Sequence, residues 1–176
     1  PIICCGETLE TYEAGKAVSG SNNNASGLRA GQSVTGAYNN AAGYNAGQSV
    51  LGNYNDAYGY KAGISATGQR NIAIGSSAGV TVSGSNNIAV GLNAGQNVAV
   101  SNTISIGTSS TANATQAIAI GHNAQATGVQ SISIGTGNVV SGNNSGAFGD
   151  PSIILGANSF SVGNNNSIGA TQTDVF

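Results

Sequence analysis

The chain is a tandem repeat, and the regular spacing of its glycines constrains the fold more than any other feature. Successive units are 16 residues long in the first part of the chain and 14 in the second. The glycines that open them are Gly27, Gly43, Gly59, Gly75, Gly91, Gly107, Gly121, Gly135, Gly149 and Gly163. One further 16-residue unit begins at Thr11, which makes eleven units. A fixed period of this length predicts a solenoid in which each unit stacks on the next.

Each unit is expected to contain two strands and two tight turns. The unit ends in a run that alternates large and small residues, as in Ile72-Ala73-Ile74, and this period-two pattern is typical of a strand. A second short strand is expected around the valines of the long units, which are Val18, Val34, Val50, Val82 and Val98. The residues between are mainly Gly, Asn and Ser, which favour turns. The pattern predicts an all-β fold, a parallel two-sheet roll of about eleven turns.

The middle residue of the final strand indicates which side of the roll faces inward. It is always small, as the series Ala25, Ala41, Ala57, Ala73, Ala89, Ser105, Ala119 and Ser133 shows. The two flanking positions vary between polar residues and Ile or Val. Because neighbouring strand residues point to opposite faces, we expect the small residues in a thin interior and the variable residues outside.

The variable side carries more Ile and Val than one thin roll can bury. These residues are Ile72, Ile74, Ile88, Val90, Ile104, Ile106, Ile118, Ile120, Ile132 and Ile134. An exposed apolar strip of this length favours association, because its burial releases ordered water and prevents aggregation. Three rolls around a common axis bury the strip. The sequence therefore predicts a homotrimer with these ten residues at its interface.

Several units resemble the head of trimeric autotransporter adhesins of the YadA type. The resemblance is carried by the stretch Ile118-Ala119-Ile120-Gly121-His122-Asn123-Ala124 and by Ser131-Ile132-Ser133-Ile134-Gly135. The stretches 141–151 and 158–164 are similar to the end of such a head, just before the neck. The match covers roughly residues 70 to 170. The first four units depart from it, because they carry polar residues such as Asn39-Asn40 where the family has an Ile or Val run.

The resemblance implies a left-handed parallel β-roll with three chains side by side, held outward from the outer membrane of a Gram-negative bacterium. It implies a non-catalytic head at the bacterial cell surface that attaches to extracellular matrix protein, host cells or other bacteria. The membrane would be reached only through an anchor in missing C-terminal regions. The alternative is a trimeric β-solenoid segment of a bacteriophage tail fibre, because such fibres contain similar repeats. An ice-binding solenoid is disfavoured, because the position of Thr35 and Thr67 holds Leu51 and Ala99 in other units.

Two regions are expected: an N-terminal cap segment over residues 1–10 and the roll over residues 11–176. The cap would cover the open edge of the first turn, which is otherwise a template for strand pairing. It contains Cys4 and Cys5, and a bond between adjacent cysteines of one chain is strained. Two interpretations stand. The cysteines form interchain disulfides around a threefold axis, or they are small apolar residues of the cap or of a remnant foreign to the repeat.

All six tyrosines and all four basic residues lie between Thr11 and Ile74. Tyr38 and Tyr54 share one repeat position, and Tyr44 and Tyr60 share another. Because equivalent positions stack in a solenoid, we expect two tyrosine ladders with a spacing of about 5 Å. Stacked rings stabilise neighbouring turns, and they also offer a large contact area at little entropic cost. These four tyrosines are the candidate ligand-binding residues.

Charge and residue content argue against several other functions. The net charge is −2 and no Lys/Arg cluster is present, so nucleic-acid binding lacks its electrostatic basis. No set of His, Cys, Asp or Glu has metal-ligand spacing, and no serine has a base beside it in the sequence pattern. His122, the single histidine, occupies a position that holds Ser76 or Leu92 in other units. We therefore expect no enzyme, no metal and no cofactor.

Overall fold

The computed structural model describes residues 13–170 of the chain. This part contains fifteen short β-strands, joined by turns, and no helix. In chain order they are β1 (Asn24–Ser26), β2 (Asn40–Ala42), β3 (Asp56–Tyr58), β4 (Ile72–Ile74), β5 (Ile88–Val90), β6 (Ile104–Ile106), β7 (Thr111–Ala112), β8 (Ile118–Ile120), β9 (Gln125–Ala126), β10 (Ile132–Ile134), β11 (Val139–Val140), β12 (Gly146–Phe148), β13 (Ile153–Ile154), β14 (Phe160–Val162) and β15 (Ser167–Ile168). The cap segment, Cys4 and Cys5 lie outside the described residues.

The strands form two parallel sheets, as the repeat predicts. Ten strands, one from each of ten successive units, make sheet A in the order β1-β2-β3-β4-β5-β6-β8-β10-β12-β14. Sheet B contains β7, β9, β11, β13 and β15. Each pairing shifts the chain by one unit, so that Ala57 is paired with Ala41 on one side and with Ala73 on the other. The expected parallel two-sheet solenoid is confirmed, and its eleventh unit is described as far as Ala170.

The second strand of the long units is shorter than expected. In place of strands the structure has isolated bridges that join Ser19, Thr35, Leu51 and Thr67. The residue before each valine is left-handed, with φ of 60° at both Ser33 and Ser49, so the extended segment begins too late to form a strand. The hydrogen bonding between units nevertheless continues, because the Thr35 amide donates to the Val50 carbonyl at 2.8 Å.

The interior of the long units is filled mainly by small side chains and valine. Three files of buried residues fill the long units: the mid-strand alanines, the alanines Ala30, Ala46, Ala62, Ala78 and Ala94, and the valine file with Ala66. Ala73 is 4% exposed, whereas the next residue, Ile74, is 42% exposed. The predicted inward and outward faces of the strand are therefore confirmed. Gly79 faces Ala73 across the interior, and a Cβ at Gly79 would lie only 2.8 Å from the Ala73 Cβ.

A ladder of buried asparagines supports one edge of the roll. Its central members are Asn39, Asn55, Asn71 and Asn87. The Asn55 Oδ1 accepts hydrogen bonds from both the backbone N and the Nδ2 of Asn71, each at 3.1 Å. Asn71 Nδ2 also donates to the Gly84 carbonyl at 2.9 Å. The same pattern recurs one unit apart, and it satisfies backbone groups that the turn would otherwise bury without partners.

The ladder ends where the unit length changes from 16 to 14 residues. At its end the Thr103 amide and hydroxyl both donate to Asn87 Oδ1, at 2.9 and 2.8 Å. In the short units serines make some of the equivalent hydrogen bonds between units. The Ser145 hydroxyl donates to the Gly156 carbonyl at 2.8 Å and accepts from the Ser159 amide at 3.0 Å. Asn138 makes the equivalent contact in one short unit, where its Nδ2 donates to the Gly149 carbonyl at 2.7 Å.

Enlarging the inward face is expected to destabilise each chain. Ala89 is buried, and its Cβ lies beneath Gly95, where an added Cβ would approach to 2.8 Å. The Ala89→Ile substitution should therefore lower the free energy of unfolding by about 1–3 kcal/mol or more, through overpacking. Chemical denaturation measures the change. Ala99→Ile, at an exposed position, is the matched control; equal effects of the two substitutions would contradict the assigned faces.

Breaking the asparagine ladder is expected to cost more than removing an exposed amide. Asn71→Ala would leave the Gly84 carbonyl, the Asn87 amide and Asn55 Oδ1 short of partners, which should lower the free energy of unfolding by roughly 3 kcal/mol. The control is Gln69→Ala, at an exposed side chain two residues earlier, where a change within about 0.5 kcal/mol is expected. A similar midpoint for the two variants in urea would show that the ladder adds little.

Candidate functional site

The predicted tyrosine ladders are present on the surface of the first units. The rings of Tyr38 and Tyr54 are stacked, with centroids 5.0 Å apart and planes 3° from parallel. Tyr44 and Tyr60 stack with centroids 5.3 Å apart and an interplanar angle of 13°. All four side chains are exposed. Tyr38 and Tyr54 precede strands of sheet A, and Tyr44 and Tyr60 follow them. The two ladders therefore lie at opposite ends of these strands.

The Tyr38–Tyr54 ladder occupies a repeat position whose backbone is left-handed. Both residues have left-handed backbones, with φ of 60° and 61°, and each immediately precedes a buried member of the asparagine ladder. The left-handed region is unfavourable for a bulky side chain and is tolerated best by Gly and Asn. Asn22, Asn86 and Asn102 occupy the same position in other units. The tyrosines are therefore held in a conformation that asparagine adopts more easily.

Each ladder has a cation over its last ring. The guanidinium carbon of Arg70 lies 5.9 Å from the centroid of the Tyr54 ring, and Arg70 is the next residue in the same file. Lys61 Nζ lies 5.1 Å from the centroid of the Tyr60 ring, although Lys61 belongs to the neighbouring file. Within residues 13–170 neither cation has a carboxylate at salt-bridge distance. Both charges are thus available on the surface that bears the tyrosines.

The other two basic residues are both ion-paired with Glu13. Its Oε1 accepts a hydrogen bond from Lys16 Nζ at 2.7 Å, and its Oε2 accepts from Arg29 Nε at 3.2 Å. The hydrogen bond from Lys16 lowers the pKa of Glu13, and the positive charges of Lys16 and Arg29 act in the same direction. Gln32 also donates to Glu13, and Gln48 donates to Gln32 at 2.7 Å. This cluster is satisfied internally, unlike Lys61 and Arg70.

The outer face of sheet A changes from polar to apolar along the roll. At its start Asn24 donates to Asn40 at 2.7 Å, and Asn40 donates to Asp56 at 2.6 Å. From Ile72 onward the same file holds isoleucine as far as Ile132. All ten residues predicted for a trimer interface lie on this outer face, and each is exposed or half-buried in the single chain. The arrangement brings them together in two parallel files, while the trimer itself stays a prediction.

Apolar surface near the C-terminal end of the described roll was missed by the sequence reasoning. On sheet A, Phe148, Phe160 and Val162 continue the exposed files. The Phe160 ring lies over Gly146, where an added Cβ would approach a ring atom to 2.8 Å. On sheet B, Ile153 and Leu155 are exposed as well. The signal was in the sequence, since Gly146 and Phe160 occupy the strand position that holds Ile118 and Ile132 in earlier units.

Comparison with known proteins identifies no family for this chain. No family model matches it. Triosephosphate isomerases of Streptococcus suis and of Streptococcus agalactiae serotype Ia are each 94% identical to it over 18 residues. That stretch is 10% of this chain and spans only 7% of the length of those isomerases. A match of this size bears neither on an enzymatic nor on a non-enzymatic function.

The remaining candidate chemistry is sparse among the described residues. His122 is exposed, and its Nε2 lies 3.0 Å from the Asn123 side-chain nitrogen. Within residues 13–170 no three His, Cys, Asp or Glu side chains are grouped so that they could hold a metal ion. The same residues include no helix long and apolar enough to cross a membrane. The tyrosine ladders with their two cations are therefore the candidate functional surface.

Proposed function

We propose that the chain is the head of a trimeric surface adhesin of the YadA type, which attaches a bacterium to extracellular matrix protein, to host cells or to other bacteria without catalysing a reaction. The repeat resemblance provides the family, and a rigid parallel solenoid suits a module that displays a contact surface away from the cell. In this proposal the head lies at the cell surface and is joined to the outer membrane through other parts of the protein.

The observation that carries the trimer is the one-sided distribution of apolar side chains. In the units that carry these files the interior is filled by Ala, Ser, Thr, Val and Asn. The isoleucine files that run from Ile72 to Ile132 and from Ile74 to Ile134 lie on the outer face of sheet A. Burying such a strip against other copies removes apolar surface from water, worth about 25 cal/mol per Å². Two further copies around an axis would cover it along its whole length.

The first units are suited to contact a partner because they combine polar sheet A residues with exposed tyrosines. Asn24, Asn40 and Asp56 replace the isoleucines there, so association of the three rolls is expected to be tightest from Ile72 onward. Tyrosine supplies large contact area with little loss of side-chain entropy. Three copies of each ladder in one fibre would add avidity to a weak single contact.

A polar substitution in the apolar files tests the trimer. Ile104→Asn should weaken association by at least about tenfold while each chain stays folded, because an unpaired amide would be buried in the interface. Sedimentation velocity at a series of concentrations measures the change. The unaltered protein should sediment with three times the mass of a single chain. Leu51→Asn, at an exposed residue outside sheet A, should leave the trimer intact. A monomeric unaltered chain at micromolar concentration would contradict the proposal.

The ladders can be separated from the fold by a double substitution. Tyr38→Ala with Tyr54→Ala should lower adhesion of coated beads to matrix protein or cells by about tenfold or more, while the melting temperature changes by only a few degrees. If stability and adhesion fall together, the ladder is structural. Unchanged adhesion by the folded double variant removes the contact-surface role. A trimer that adheres to no matrix protein or cell favours the segment of a bacteriophage tail fibre.

A further inference from the structure

The file of Tyr38, Tyr54 and Arg70 is built in spite of its backbone conformation. These three residues follow Asn22 and precede Asn86 at one repeat position, and φ lies between 56° and 61° at all five. Asparagine tolerates this conformation well, whereas Tyr and Arg do not. Stacking between the rings offsets part of the cost, but the asparagines at the ends show that the turn forms without aromatic residues. Gln116 and Gln130 adopt the same conformation at this position, so what distinguishes Tyr38, Tyr54 and Arg70 is the exposed aromatic surface and charge that they bring together.

The placement of two basic side chains beside the tyrosines favours an anionic partner. Residues 1–74 contain four basic and four acidic side chains, so this preference comes from local placement and not from net charge. Glu13 is ion-paired with both Lys16 and Arg29, and Asp56 accepts a hydrogen bond from Asn40. Among the described residues, Lys61 and Arg70 are therefore the basic side chains that have no carboxylate at salt-bridge distance. Arg70 presents a planar fork of donors that matches the geometry of a carboxylate.

The stacking covers part of each tyrosine ring. The Tyr38 and Tyr54 planes lie 3° from parallel, so the facing sides of the rings cover each other, and Arg70 lies over the Tyr54 ring. The two ring centroids are 5.0 Å apart, and the Arg70 guanidinium carbon is 5.9 Å from the Tyr54 centroid. Small-molecule sites are concave, whereas these three side chains are exposed in a row along the surface, which favours an extended ligand that follows the row.

The spacing of the row discriminates between two kinds of linear anion. An extended peptide places side chains on one side about 7 Å apart, which exceeds the spacing of the row. The sugars of a linear polysaccharide follow one another at close to the spacing of the stacked rings. Each sugar of a carboxylated polysaccharide can offer hydroxyl and carboxylate oxygens. Phenol groups donate to such oxygens and accept from sugar hydroxyls.

We propose that the Tyr38–Tyr54–Arg70 row binds a linear carboxylated polysaccharide that lies along the solenoid axis. Arg70 pairs with a carboxylate of one sugar, and the two phenols hydrogen-bond to the sugars that follow. This inference rests on the adhesive function proposed above and names its ligand class. The Tyr44–Tyr60 ladder lacks the in-register cation, because Ser76 follows Tyr60 in its file.

Binding of the full chain to immobilised polygalacturonate, which carries a carboxylate on every sugar, tests the proposal. Arg70→Gln should weaken binding about tenfold, because a charge-assisted hydrogen-bond pair is lost. The affinity of Arg70→Lys should lie between those of the unaltered chain and Arg70→Gln, because lysine retains the positive charge but not the planar pair of donors. The Tyr38→Phe, Tyr54→Phe double variant keeps the stack and should still lose affinity severalfold. Higher salt should weaken binding of the unaltered chain more than that of Arg70→Gln.

Arg29→Gln is the matched control, because it makes the same change at a residue outside the row that is ion-paired with Glu13, and it should change affinity less than twofold. Dextran, which is uncharged, and poly-L-glutamate, an acidic peptide, should both bind the unaltered chain at least tenfold more weakly than polygalacturonate. The proposal is overturned if polygalacturonate does not bind, if poly-L-glutamate binds equally tightly, or if Arg29→Gln weakens binding as much as Arg70→Gln. Matrix and cell adhesion that persists without polysaccharide binding overturns this inference alone; loss of all adhesion overturns the adhesive function too.

Discussion

The close approach of the two walls of the roll is the constraint on which the rest of the structure depends. Gly47, Gly63, Gly79 and Gly95 each lie over the Cβ of the preceding mid-strand alanine, and an added Cβ at any of them would come within 2.8–2.9 Å of it. The φ of these glycines is also close to +60°, so substitution would meet strain as well as a clash. The buried side chains of these turns are therefore Ala, Ser, Val and the hydrogen-bonded Asn and Thr, and isoleucine is buried only in the C-terminal units.

This constraint links the core of one chain to its surface. Since large apolar residues are excluded from most of the interior, the isoleucines of sheet A must point outward, where a second and third copy are expected to cover them. Interior stability comes instead from hydrogen bonds that pass from unit to unit, with the asparagine ladder from Asn39 to Asn87 as its side-chain part. The tyrosines and Arg70 lie outside this packed interior, on the exposed surface of the roll.

Much of this arrangement could be predicted from the sequence because the repeat converts position into location. Knowing that Ala57 and Ala73 are equivalent was enough to predict their pairing, their burial and the stacking of Tyr38 on Tyr54. The asparagine ladder was missed because asparagine beside Gly and Ser is typical of turns, although its recurrence every 16 residues was visible. The cations over the rings depend on side-chain rotamers that a repeat does not specify. The shortened second strand depends on left-handed residues such as Ser33, which composition does not reveal.

Thiol reactivity along one strand tests the central claim. The claim is that the inward face of the strand is buried within each chain, whereas the outward face is buried only when three chains associate. Ile104→Cys, Ser105→Cys and Ile106→Cys would be made separately in a chain with Cys4→Ser and Cys5→Ser, and labelled with a water-soluble maleimide at concentrations above and below trimer dissociation. We expect Ser105→Cys to stay protected throughout, and the flanking variants to become reactive on dilution. Equal reactivity of all three, or fast labelling of Ile104→Cys and Ile106→Cys at high concentration, would contradict it.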